Sequence, residues 1–244
     1  MKHLVGFHAI TSRLRQKPET VREVYVDAER VDARAKELRE FAKSRNVRVI
    51  AVDAKRLDGM AGGPRHQGVV ATAEPLDMPQ FIEDVLEGLD EPPLLLILDG
   101  VQDPHNLGAS LRVADGAGAH AVIAPKDRSV GLTTAAIKVA SGAAESVPYI
   151  VVTNLARTMR ELKDKGVWLI GADDSATESI FSAKLEGSMG LVLGAEGEGL
   201  RRLTKESCDL LVSIPMLGAV ESLNVSVAAG ICLYEARRRR LARA

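Results

Sequence analysis

Residues 213–240 read SIPMLGAVESLNVSVAAGICLYEARRRR, and this stretch decides the fold. The apolar run Leu210-Leu211-Val212-Ser213-Ile214 leads into it and reads as a strand. Pro215 removes a backbone donor and ends the ladder. Gly218 supplies a flexible bend. Ser222 is the expected N-cap of a helix over 223–240. Leu223, Val225, Val227, Ala228, Ala229, Ile231, Cys232 and Leu233 cover more than one stripe of that helix. It therefore needs partners on several faces, a sheet on one side and a second subunit on another.

The preceding residues supply the sheet. Short apolar strands are expected at 94–98, 121–124, 149–152, 167–170, 191–193 and 210–214. Helices fit between them at 107–117, 133–141, 154–165 and 200–206. Continuous apolar strands alternating with helices indicate an α/β domain with a parallel sheet covered on both faces. Such sheets bind ligands at the carboxyl ends of their strands.

Residues 1–75 form a separate lobe. A short helix over 6–15, a strand at 21–26, a helix over 31–46 and strands at 47–52 and 69–73 make a small mixed α/β domain. The stretch Asp58-Gly59-Met60-Ala61-Gly62-Gly63-Pro64 reads as turns. Its glycines either approach a nucleic-acid backbone or simply make a surface turn. Residues 76–93 hold no Lys or Arg and are bracketed by prolines. They read as an acidic, solvated hinge with a short amphipathic helix, which leaves 94–244 as the second domain.

Composition narrows the function. Of 244 residues 46% are hydrophobic but only 3% aromatic, so the core is aliphatic. No apolar run reaches the ~18 residues that a membrane helix needs, so no membrane association is expected. The opening MKHLVGFHAI does not read as a signal peptide. Cys208 and Cys232 are isolated, which suits a reduced, cytoplasmic setting. The five His show no metal-ligand spacing, so no metal is expected. The net charge of −1 conceals an asymmetry. Residues 1–75 carry 15 Lys/Arg against 10 Asp/Glu, and the remainder carries 17 against 23. A positive first lobe points to an anionic partner such as RNA.

Three strand ends carry dense polar and glycine motifs. The first, Asp99-Gly100-Val101-Gln102-Asp103-Pro104-His105-Asn106-Leu107-Gly108, runs into a helix that Asn106 can cap. Arg112 stands on the early turns of that helix, where a guanidinium can grip a phosphate. The second is Gly194-Ala195-Glu196-Gly197-Glu198-Gly199-Leu200. Its spacing is G-x-x-G-x-G, and it lies late in the chain, so it is not the dinucleotide fingerprint. Its glycines still admit close backbone approach, and Glu196 adds a carboxylate. The third is the opening stretch, with Ile214, Met216, Gly218, Ser222, Leu223 and Asn224.

Together these motifs resemble the SpoU branch of the SPOUT RNA methyltransferases. The resemblance rests on DPHNLGASLRVADGAGAHAVI, LVLGAEGEGLRRLT and IPMLGAVESLNVSVAAGICLYEA, and extends through KDRSVGLTTAAIKVASGAAESVPYIVVTNLARTM. It covers nearly all of 94–240. The first lobe, from VGFHAI to HQGVVA, is similar to the family's ribosomal-protein-like (L30e-like) RNA-binding domain. One local departure is Glu221, where a small polar residue is common in the family.

The resemblance implies a deep C-terminal trefoil knot, S-adenosylmethionine as cofactor and a homodimer. It implies methyl transfer to the ribose 2′-hydroxyl of a guanosine in 23S ribosomal RNA. Cofactor contacts fall on Gly194, Ile214, Met216 and Leu223. Asn106, Arg112, Glu196, Ser222 and Asn224 fall on catalytic motifs. An Arg pKa above ~12 makes Arg112 a costly general base. The reading preferred here has Arg112 and an RNA phosphate orient the hydroxyl, with deprotonation by Arg112 left open. Asn106 fixes Arg112 or the ribose, Glu196 holds Asn106 or the substrate side, and Ser222 and Asn224 shape the loop. Two alternatives stand beside it, a transfer-RNA 2′-O-methyltransferase of the same superfamily and a catalytically inactive RNA-binding ribosome assembly factor.

Overall fold

The structure is a computed structural model that describes residues 1–195 and 197–242. The chain forms two compact units, residues 1–78 with 141–146, and residues 79–140 with 147–244.

In the first unit the order is β1 (Lys2–Val5), α1 (Phe7–Gln16), β2 (Val21–Asp27), α2 (Ala33–Ser44), β3 (Arg48–Val52), α3 (Ala54–Ala61) and β4 (Val69–Ala73). The sheet order is β1-β4-β2-β3, with only β2 and β3 parallel. Alternation along β2 sends Val24 and Val26 into one core with Ile10, Leu14 and Leu38, and Tyr25 into another with Leu57 and Val70. Both sheet faces are thus covered. β1 was not expected from the sequence. The expected turn at 58–64 is instead helical through Ala61, because Asp53 caps α3 by accepting from Arg56 N at 2.7 Å. Gly62, at φ 69°, then ends the helix in the left-handed region.

The second unit runs α4 (Ile82–Glu87), β5 (Leu94–Asp99), α5 (Pro104–Ala117), β6 (Ala121–Pro125), α6 (Thr134–Ala140), β7 (Tyr149–Val152), α7 (Leu155–Asp164), β8 (Trp168–Ala172), β9 (Met189–Gly194), α8 (Arg202–Ser207), β10 (Leu210–Val212) and α9 (Val225–Leu241). Its six strands lie in the order β10-β8-β9-β5-β6-β7, and every neighbouring pair is parallel. All five apolar side chains of β5, 94–98, are fully buried, each contributing about 1.5–3 kcal/mol.

Within 76–93 the expected amphipathic helix forms as α4, and the stretch is anchored by one face of it. Ile82 and Val85 of α4 are buried in the second unit's core beside Leu95, Ile97 and Ile123. Two expected caps also move. Asp103, not Asn106, caps α5, accepting from His105 N at 2.9 Å. Asn224, not Ser222, caps α9, its Oδ1 accepting from Ser226 N at 2.9 Å at the helix start, Val225. α9 buries Val225, Ala229, Cys232, Leu233 and Ala236 but leaves Val227 and Tyr234 about half exposed, 50% and 53%.

The run Arg237 to Arg240 is largely absorbed by the fold. Arg237 donates to the carbonyls of Ala117 and Gly118, which end α5. Arg240 donates to those of Pro92, Pro93 and Gly187. Arg238 and Arg239 hold Glu235.

Candidate active site

The site lies where the strand order reverses. From β5, strands β6 and β7 extend one way, and β9, β8 and β10 the other. Asp99 ends β5 and pairs in register with Gly194, which ends β9. Parallel sheets bind ligands outside the carboxyl ends of their strands at such a switch point.

Gly194 is required by space. A Cβ there would lie 2.0 Å from the carbonyl carbon of Gly199. The loop folds straight back, with Gly199 N donating to Ala195 O at 3.0 Å and Gly197 and Gly199 at positive φ. Asp99 pins the far end of this loop. Its buried Oδ2 accepts from Arg201 N at 3.0 Å, and Oδ1 accepts from Arg201 Nε at 2.6 Å. Neither Asp99 nor Arg201 was singled out as a site residue from the sequence. The available signal was a carboxylate ending an otherwise apolar strand, where only a charged partner makes burial tolerable. Glu196 lies outside the described residues.

The third wall is the segment leading to α9. Ser213 bridges Ser179 beyond the end of β10. Residues 214–223 then make no backbone hydrogen bond with any described residue. Ile214, Met216 and Leu223 are half-buried, and Ser222 is exposed. A run of N–H and C=O groups with no partner among the described residues suits a ligand held by its polar edges.

Asn224 links this wall to the first motif. Its Oδ1 accepts from Ser226 N at 2.9 Å and Ser226 Oγ at 2.7 Å. That fixes the amide's orientation, so Nδ2 donates to Asn106 Oδ1 at 2.9 Å. The starts of α5 and α9 are thereby joined through two side-chain amides. Ser226, not singled out from the sequence, sets the direction of this relay.

Arg112 is not among these groups. It stands on the third turn of α5, six residues past Asn106, or about 9 Å along the axis and a third of a turn around it. It is exposed and forms no ion pair or hydrogen bond with a described residue. Gly116, one turn on, faces Tyr234 of α9, whose hydroxyl would lie 2.8 Å from a Cβ there. Arg112 therefore shares an open face of the α5–α9 pair with Gly116, Val227 and Tyr234.

Burial pushes the thiols of Cys208 and Cys232 up to about 12, so neither is a nucleophile at neutral pH. Among the described residues no helix is long and apolar enough to cross a membrane.

A switch-point sheet with a glycine loop, a backbone-lined wall and an amide relay defines an α/β catalytic domain of the cofactor-dependent class. Residues 93–234 match the SpoU rRNA Methylase family, and residues 3–79 match the RNA 2'-O ribose methyltransferase substrate binding domain. The chain belongs to the SpoU rRNA methylase family. A relative from Ralstonia nicotianae named 23S rRNA (guanosine-2'-O-)-methyltransferase RlmB is 60% identical over 98% of this chain and 96% of its own. The SpoU methyltransferase AviRb from Streptomyces viridochromogenes, solved in complex with the cofactor AdoMet, superposes with a TM-score of 0.71. It is 26% identical and covers 98% of this chain and 90% of its own. A TrmH/SpoU tRNA modifying enzyme from A. aeolicus, 27% identical, gives 0.57 and covers only 66% of this chain and 83% of its own.

Proposed function

We propose that this chain transfers a methyl group from S-adenosylmethionine to the ribose 2′-hydroxyl of a guanosine in 23S ribosomal RNA. The observation that carries the reading is the meeting of 99–106, 194–201 and 213–224 at one sheet end, in a chain whose relatives align along its whole length. The likeness to the tRNA modifying enzyme spans about two thirds of the chain, which disfavours the transfer-RNA alternative. The intact Asn106–Asn224 relay disfavours a non-catalytic assembly factor.

The residues fit the cofactor. The backbone of Ile214, Met216 and Leu223 would hold its adenine edge and ribose, and the packed glycine at 194 would keep that wall thin. When bound, the sulfonium supplies the electrophilic methyl. The protein's own work is positioning and charge placement. The relay from Ser226 through Asn224 to Asn106 holds a side-chain amide at the ribose edge. Ser222 is exposed on the same wall, and Glu196 is assigned to the substrate side of the motif. Arg112 orients the ribose hydroxyl and stabilises charge developing on its oxygen. Residues 1–78 serve as the RNA-binding domain, and the second unit as the methyltransferase, with its C-terminal segment threaded as a trefoil knot. The enzyme works in the cytoplasm, where ribosomal RNA is assembled.

The active form is a homodimer through the open face of α5 and α9. Arg112 lies on that face, about 9 Å along α5 and a third of a turn around it from its own Asn106, and serves the partner's site. The test is complementation. Arg112→Ala and Asn106→Ala are each expected to be inactive, and mixed dimers of the two should recover a fraction of wild-type turnover. Mixed dimers as inactive as the parents would place Arg112 in its own site.

A further inference from the structure

The loop after β6 is built for a role that its fold does not need. Residues 126–133 read KDRSVGLT. The loop is pinned at both ends. Lys126 N donates to Val152 O at 2.8 Å, and Val130 N donates to Val101 O at 2.9 Å, in the first motif. The Tyr149 hydroxyl donates to Val130 O at 2.8 Å. Between these pins Arg128 is forced to φ 60°, a conformation that residues with a Cβ avoid. Ser129 Oγ is buried there with no hydrogen-bond partner among the described residues. Strain and an unmet polar atom persist where the surroundings impose them, and they gather at functional sites.

The loop's place is the site's edge. A Cβ on Gly100 would lie 3.8 Å from Arg128 O and 3.8 Å from Ala195 Cβ. Arg128 is thus separated from the 194–201 loop by little more than the Gly100 backbone. The side chains of Lys126, Asp127 and Arg128 are all exposed, and none forms an ion pair or hydrogen bond with a described residue. Most other arginines of this unit are engaged, as 157, 201, 202 and 237–240 are. Two unengaged cations on a pinned, strained loop beside the reacting end of the sheet fit one kind of group, an RNA backbone phosphate.

We propose that Arg128, helped by Lys126, grips the phosphate next to the target nucleotide and so positions its ribose for methylation. The assignment rests on the function proposed above. The Arg128 backbone lies beside Gly100 of the first motif, and its exposed side chain is within reach of a strand that enters there.

The test uses the full-length protein with Arg128→Gly, which keeps the backbone angle and removes the cation, and with Lys126→Ala. KM for a 23S ribosomal RNA fragment should rise about ten-fold in Arg128→Gly, the loss expected for one charge-assisted contact. The slope of log affinity against log salt should flatten by about 0.7–0.9, one phosphate's share. S-adenosylmethionine affinity and thermal midpoint should not fall, because glycine is at ease at that angle. Wild-type KM and salt slope in Arg128→Gly would overturn the proposal. So would an unchanged slope with a lost preference for guanosine, which would assign Arg128 to the base. A parallel loss of cofactor affinity would make the loop structural and also overturn it. If the wild-type protein methylates no ribosomal RNA, the proposed function fails, while the salt slope of RNA binding still decides Arg128.

Discussion

At the scale of single residues, the site depends on contacts that leave no room for substitution. Gly194 has ordinary backbone angles, so the demand on it is purely spatial. Gly194→Ala would drive a methyl into the Gly199 backbone. Calorimetry should show loss of S-adenosylmethionine binding while the far-UV circular dichroism is kept. The Asp99–Arg201 pair makes an asymmetric prediction. Asp99 is buried, whereas the Arg201 side chain is 36% exposed. Arg201→Ala strands a carboxylate in the interior and should cost about 3 kcal/mol in urea unfolding. Asp99→Asn leaves a guanidinium that can turn to water and should cost less. Equal losses would mean that the pair's burial does not matter. Glu235 sets a pH response. Hydrogen bonds from Arg238, and then Arg239, bring its carboxyl from 4.5 down to about 2. A depressed carboxyl stabilises the fold fully above its ordinary pKa and loses that contribution as pH falls through the folded value. Acid unfolding of Glu235→Gln should therefore show a flatter decline between pH 4.5 and 2 than the wild type.

At the scale of elements, the sequence made the layered sheet legible because buried parallel strands are continuous apolar runs. All six expected strands of the second unit form, within a few residues of their expected ends. Caps were less legible, since neighbouring polar residues compete for one helix start. Ser222 and Asn224 both suit an N-cap, and only the chain's path decides for Asn224. The site was legible as motifs but not as geometry. Asn106 and Arg112 are close in sequence, yet helix periodicity turns them apart. Asp99 and Arg201 were missed because each matters through a partner 102 residues away, and Ser226 because it acts only by orienting Asn224 toward Asn106. The short amphipathic helix expected within 76–93 forms as α4, but the sequence did not say that its Ile82 and Val85 face joins the second unit's core, because that depends on strands that follow it. The backbone of 214–223 gives this scale its own prediction. Those amides should exchange with deuterium rapidly in the free protein and slow markedly with S-adenosylmethionine. Equal exchange with and without saturating cofactor would remove this segment from the cofactor site.

At the scale of the whole molecule, the first unit is completed by residues far along the chain. Arg13 is fully buried, donates to Glu74 O at 2.8 Å, and is ion-paired with Glu145 from the 141–146 segment. Lys2 shares the same carboxylate. Glu145→Ala leaves a buried guanidinium without its counter-charge and should destabilise this unit by about 3 kcal/mol. A fragment ending at residue 78 should be correspondingly weak, whereas one beginning at 92 would lack Ile82 and Val85 of the other core. The positive balance of residues 1–75 and the match of residues 3–79 to an RNA substrate-binding domain give this unit its assigned task. The direct measurement is mass-spectrometric mapping of 23S ribosomal RNA after incubation with purified protein and S-adenosylmethionine. One new methyl on a guanosine ribose is expected, absent with Asn224→Ala. A methyl on a base, methyl transfer confined to transfer RNA, or no transfer at all would contradict it.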